Sequence, residues 1–166
     1  MVGSPDYDSR AVKRSSIVEA HAQAAAAPAF RVLVADDDRA TRMLVHTCLR
    51  YLGYFDVVQC IDGEEALAEF KARPAQLVIS DFNMPKLDGL GLLREIRSMP
   101  GGDKTPFVLL TSRGEAKFVR QALMSQVSGY LVKPFTIAGF QAKVDAAATA
   151  AMKAHVPAAD LWEIHE

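Results

Sequence analysis

Five positions place a polar side chain at the end of a short apolar run. Asp36 and Asp37 follow Arg31-Val32-Leu33-Val34-Ala35, and Asp81 follows Leu77-Val78-Ile79-Ser80. Thr111 ends the run that starts at Phe107, and Lys133 follows Tyr130-Leu131-Val132. Three carboxylates brought into one crevice repel and raise each other's pKa. A divalent cation removes that cost, and an all-oxygen site that keeps several waters suits Mg²⁺. Lys133 adds a second positive charge and Thr111 a hydroxyl donor, so the set would hold a tetrahedral anion beside a carboxylate. This is the equipment for making an aspartyl phosphate. A carboxylate is a poor nucleophile towards a charged phosphoryl group until metal and lysine neutralise the phosphoryl oxygens.

Residues this far apart in the chain meet only if the runs that carry them are strands of one sheet with their carboxyl ends on one edge. The patterning predicts such a sheet. Strands are expected at 31–35, 55–61, 77–80, 107–110 and 130–132, each an apolar run of strand length. Between them, Leu44, Val45, Cys48, Leu49 and Leu52 recur at helical spacing and Gly53 closes the segment as a C-cap. Asp62 offers an N-cap with Glu65 at the box position ahead of Ala66, Leu67 and Phe70. Leu90, Leu93 and Ile96 mark a third helix, 116–124 a fourth and less regular one, and 137–151 a fifth. Strands alternating with helices, (βα)5, read as an α/β fold: a doubly wound, five-stranded parallel sheet of the flavodoxin-like kind. Continuously apolar strands fit a sheet covered on both faces. In such folds the working site lies beyond the carboxyl ends of the strands.

The chain has 166 residues, half of them hydrophobic and 23% charged, which suits one packed domain and excludes wholesale disorder. Its 19 basic and 20 acidic residues leave no charge excess to attract nucleic acid or an anionic membrane surface. Cys48 and Cys60 fall in apolar periodic segments and are expected as reduced core residues. No export signal or bilayer-length apolar run is evident, so a cytoplasmic protein is expected. Residues 1–29, with an alanine-rich stretch broken by Pro28, read as a tail, disordered or a transient helix. Residues 30–152 form the expected domain and 153–166 a C-terminal tail.

The segments Val34-Ala35-Asp36-Asp37-Asp38, Ile79-Ser80-Asp81-Phe82-Asn83-Met84-Pro85, Leu87-Asp88-Gly89, Leu109-Leu110-Thr111-Ser112 and Tyr130-Leu131-Val132-Lys133-Pro134-Phe135 resemble the receiver domains of two-component response regulators. The single-domain, CheY-like chemotaxis type is the nearest in pattern, and the resemblance spans about residues 30–150. It implies a phosphoacceptor at Asp81, and Mg²⁺ held by Asp37, Asp81 and the backbone carbonyl of Asn83, with Asp36 acting through a water. It implies that Thr111 binds a phosphoryl oxygen, that Lys133 pairs with the phosphoryl group, and that Tyr130 is a switch aromatic moving with Thr111. A cis peptide before Pro134 is also implied. The expected donor is the phosphohistidine of a sensor histidine kinase or histidine phosphotransfer protein. The domain would catalyse only its own phosphorylation and dephosphorylation, without turnover of another substrate.

Some residues fit humbler roles. Asp38 reads as a helix cap, Asn83 as a turn residue in any case, and Tyr130 would equally suit a half-buried aromatic of the last strand. Ser112, where a small alanine is usual, Arg113, two after Thr111, and Gln126, in place of a helix-ending glycine, depart from the commonest pattern. Arg113 and Asn83 flank the path of a hydrolytic water, and Arg113 is expected to alter the lifetime of the phosphorylated state. With no room for an output domain, output is expected through protein contact by a monomer, on the face of the fourth helix, fifth strand and fifth helix. Phe118, Val119, Tyr130 and Phe140 are candidates near it, some of them expected to be core. The segment Asp160-Leu161-Trp162-Glu163-Ile164 reads as a frayed tail or a docking peptide. Chemotaxis is the first choice of pathway, with a phosphate shuttle or sink in a relay as the alternative. A haloacid-dehalogenase-like phosphatase is disfavoured because Ala40 stands where that class needs threonine. A nucleotide-second-messenger binder is disfavoured because the arginines are scattered.

Overall fold

The computed structural model describes residues 29–112, 114, 115, 117 and 127–154. The N-terminal tail up to residue 28, Arg113, the helix expected over 116–124 apart from Lys117, Gln126 and the segment 160–164 lie outside the described residues.

Five strands form one parallel sheet: β1 (Arg31–Ala35), β2 (Asp56–Cys60), β3 (Leu77–Asp81), β4 (Phe107–Thr111) and β5 (Gly129–Val132), in the order β2-β1-β3-β4-β5. Four α-helices are described: α1 (Arg39–Tyr51), α2 (Gly63–Ala72), α3 (Gly89–Ser98) and α4 (Ile137–Ala154), the last being the fifth helix expected from the pattern. Alternation along each strand sends side chains to opposite faces. Leu33, Val78, Phe107 and Leu109 pack with Ala66 and Phe70 of α2 and Leu92, Leu93 and Ile96 of α3. Val32, Val34, Ile79, Val108 and Leu110 pack with Val45, Cys48 and Leu49 of α1 and Phe140, Val144 and Ala147 of α4. Burying each of these large side chains contributes about 1.5–3 kcal/mol. Central strands buried on both faces are therefore apolar throughout, and the doubly wound architecture follows.

The helix starts are built as their sequences require. Asp38 accepts from the Thr41 amide (2.9 Å) and hydroxyl (2.7 Å), so it caps α1 as expected. The Asp62 carboxylate accepts from the Glu65 amide, and Glu65 reaches back to the Ile61 amide, both near 2.8 Å. Asp88 caps α3 by accepting from the Gly91 amide (2.7 Å), and Thr136 caps α4 through the Gly139 amide (3.0 Å). Gly53 ends α1 at φ +95°, a conformation that favours glycine. Both cysteines are free and buried; burial is the main cause pushing the Cys60 thiol up to about 12.

Several expectations shift in detail. The second strand covers Asp56–Cys60, with Phe55 and Ile61 exposed at its ends. Leu44 is exposed beside Met43: at 100° per residue it lies off the stripe formed by Val45, Cys48 and Leu49. Leu92 joins Leu93 and Ile96 on the buried face of α3, whereas Leu90 is half-buried. Of the candidates near the docking face, some of them expected in the core, Phe140 is a core residue, 1% exposed and stacked on Phe135 at 5.5 Å. Its position on the inward face of α4 requires this. No helix among the described residues is long and apolar enough to cross a membrane.

Candidate functional site

The strand ends deliver the predicted polar side chains to one edge of the sheet. Asp36 follows the last residue of β1, Asp81 and Thr111 close β3 and β4, and Lys133 follows β5. Neighbouring strands are about 4.8 Å apart, so β5 stands roughly 10 Å from β3. A long lysine stem is the side chain able to cross that gap. Lys133 Nζ lies 2.8 Å from Asp36 Oδ2 and 3.0 Å from Asp81 Oδ1, so one ammonium bridges two carboxylates. The Lys133 amide donates to the Thr111 carbonyl (2.7 Å), and the Lys133–Pro134 peptide is cis.

Asp36 is fully buried, and both its carboxylate oxygens are engaged: Oδ2 by Lys133 and Oδ1 by the Asp38 amide at 2.9 Å. Asp37 is exposed. Asp36, Asp37 and Asp81 each offer an oxygen, and these oxygens lie within 4.8 Å of one another. Asp81 is 9% exposed. Burial pushes its pKa up to about 6, with Asp36 and Asp37 adding to the rise and Lys133 opposing it. Burial also works against the charge on Lys133, but hydrogen bonds to Asp36 and Asp81 outweigh it and hold the ammonium above its ordinary range. Three convergent carboxylates against one ammonium leave negative charge uncompensated. Donors that are all oxygen, in a partly exposed notch, fit a hard divalent cation such as Mg²⁺.

Thr111 is fully buried, with its hydroxyl 3.3 Å from the Ser112 carbonyl and 3.4 Å from Glu115 Oε2. Asn83 is exposed in the loop two residues beyond Asp81. Tyr130 is half-buried against the cluster that holds Leu109, with Lys143 Nζ 5.8 Å from its ring centroid. Pro134 continues directly from the bridging lysine. Arg113 lies outside the described residues.

Three features at this edge went unread in the sequence. Lys86, at φ +66°, reaches the buried Asp62 at 2.9 Å and ties the loop after β3 to the start of α2. Gly89 packs so closely that a Cβ there would stand 2.2 Å from the Asp81 carbonyl oxygen, and a Cβ at Gly63 would meet the Leu87 carbonyl at 2.1 Å. Glu115 accepts from the Ser112 amide (3.0 Å) as well as lying near the Thr111 hydroxyl. Its spacing, Ser112-x-x-Glu115, is a capping-box signal that the sequence does carry.

Residues 32–145, well over half of the chain, match the response regulator receiver domain. The chain belongs to that family. This receiver is 38% identical over 117 residues to a probable chemotaxis protein CheY of Rhizobium etli, covering 70% of this chain and 91% of that one. It is 33% identical over 116 residues to the chemotaxis protein CheY-3 of Vibrio cholerae, covering 70% and 89%. Among solved structures, the chemotaxis response regulator CheY4 of Vibrio cholerae superposes with a TM-score of 0.65 at 29% identity, covering 71% of this receiver and 98% of that chain. A response regulator receiver domain protein from Clostridium thermocellum gives 0.64 at 26% identity, covering 72% and 94%. The receiver is thus of the CheY-like kind, a component of two-component signalling.

Proposed function

We propose that this receiver is a phosphorylation-operated switch with Asp81 as the acceptor. The observation that carries the reading is the Lys133 ammonium bridging Asp36 and Asp81 at the edge where three carboxylates converge. The ionised Asp81 carboxylate is the nucleophile, with Lys133 on its Oδ1 at 3.0 Å. An Asp81 oxygen bonds to phosphorus as the N–P bond of a donor phosphohistidine breaks, and the imidazole leaves. Lys133, already 3.0 Å from Asp81, pairs with a phosphoryl oxygen, and the Thr111 hydroxyl donates to another. Asp37, Asp81 and the Asn83 carbonyl would hold Mg²⁺, with Asp36 contributing through a water, and the ion would supply neutralisation of phosphoryl charge. The engagement of both Asp36 oxygens by Asp38 and Lys133 supports that outer role.

The donor is a sensor histidine kinase or histidine phosphotransfer protein, and Asp81 undergoes self-catalysed phosphorylation and hydrolysis without turnover of any other substrate. Output is contact between the phosphorylated monomer and a target protein on the surface that includes β5 and α4, with Tyr130 as its switch residue. Chemotaxis is the favoured pathway, since the relatives from Rhizobium etli and Vibrio cholerae carry that name. The cytoplasm is the compartment in which the proposed kinase domain would meet it.

Incubation with acetyl phosphate and Mg²⁺, followed by intact mass, tests the reading. Wild type gains the mass of one phosphoryl group, whereas Asp81→Asn and a chelated sample gain none. Equal labelling of Asp81→Asn would overturn the assignment.

A further inference from the structure

We propose that Glu115 is a resident anion: its carboxylate holds the donors meant for a phosphoryl oxygen, and it must withdraw when Asp81 is phosphorylated. The inference rests on Asp81 being the acceptor. The β3–β4 register sets Asp81 opposite Leu110, so Thr111 and Ser112 are the next residues on the adjacent strand, about one strand spacing away. The backbone carbonyls here are committed: Leu110 O accepts from the Phe82 amide (2.8 Å) and Thr111 O from the Lys133 amide (2.7 Å). The donors that project from the end of β4 are the Thr111 hydroxyl and the Ser112 amide. The Ser112 amide donates to Glu115 Oε2 at 3.0 Å, and the Thr111 hydroxyl stands between that same oxygen (3.4 Å) and the Ser112 carbonyl (3.3 Å).

A phosphoryl oxygen beside Asp81 has the same charge and acceptor chemistry as that carboxylate oxygen. One amide hydrogen does not serve two anions well, and the anions repel each other. Phosphoryl binding and the Glu115 contact therefore compete. The contact also belongs to the local backbone. The Glu115 amide donates to the Ser112 carbonyl at 3.2 Å, so the pair forms both halves of a turn with capping-box spacing. Displacing the carboxylate removes one of that turn's two hydrogen bonds. Glu115 is thus a positioning residue that links occupancy at Asp81 to the conformation of the chain after β4.

The test is calorimetric titration of the Mg²⁺-loaded full chain with BeF₃⁻, which stands in for the phosphoryl group, for wild type, Glu115→Ala and Glu115→Gln. Glu115→Ala is expected to bind BeF₃⁻ about three- to tenfold more tightly, the effect of removing one competing hydrogen bond. Glu115→Gln keeps an acceptor oxygen without the charge and is expected to fall between; it also serves if the alanine variant does not fold. Mg²⁺ affinity is expected to stay the same in all three. A plain cap would lower melting temperature without tightening BeF₃⁻. Equal or weaker BeF₃⁻ binding by a cooperatively folded variant overturns the proposal and leaves the phosphoacceptor reading standing. Absence of BeF₃⁻ binding by wild type overturns both.

Discussion

Lys133 neutralises part of the charge in a pocket that holds three carboxylates, one of them fully buried. Lys133→Ala leaves Asp36 buried without its cation, and breaking a buried pair on one side costs about 3 kcal/mol. Denaturant melts in chelator should show that loss, and added Mg²⁺ should recover more stability in the variant than in wild type. Asp81 carries the opposite liability. Its pKa in the fold, about 6, exceeds the ordinary 3.8, so the folded state binds the proton more tightly than the unfolded chain. The stability this group contributes is complete below about 3.8 and is lost as pH rises through 6. Asp81→Asn should therefore melt above wild type in metal-free buffer near neutral pH, by on the order of 2 kcal/mol once solvent screening is allowed for. The gap should close as the buffer is taken to about pH 4, and thermal melts across that range check it.

Strands and caps place these residues, and most of that arrangement is written in local patterns. Apolar runs ending in Asp36, Asp81, Thr111 and Lys133 made the sheet edge legible, because a parallel strand buried on both faces has no other place for a charge. Asp62 and Glu65 announced the start of α2 by their spacing. Leu44 misled because periodicity marks an apolar position without fixing how far it lies from the centre of the buried stripe. The Lys86–Asp62 pair and the tight packing at Gly89 were invisible because each depends on two segments meeting in space. Asp62→Ala removes a cap and the Lys86 partner together and should cost about 1–2 kcal/mol by denaturant titration. Gly89→Ala drives a methyl into the Asp81 carbonyl, so it should cost about 1–3 kcal/mol and slow labelling by acetyl phosphate, although residue 89 takes no part in the chemistry.

On the scale of the molecule, the order β2-β1-β3-β4-β5 sets the acidic strand ends, β1 and β3, side by side and the lysine two strands from Asp81. The pattern of alternating elements foretold that sheet, and the match over residues 32–145 agrees with it. Long-range coupling at the edge was only partly legible. Glu115 lies four residues from Thr111, yet its importance appears only when β3 and β4 are aligned. The two glycine contacts have a consequence for traffic. Backbone packs against backbone at Gly63–Leu87 and at Gly89–Asp81, and Lys86 adds a tether. The stretch between β3 and α3 is therefore a fixed rim, not a flap that folds over a visitor. If Asp81 is the proposed acceptor, a small phosphodonor and a protein donor would use the same standing doorway, and differences in their rates should follow how each presents its phosphorus, not how fast an entrance opens.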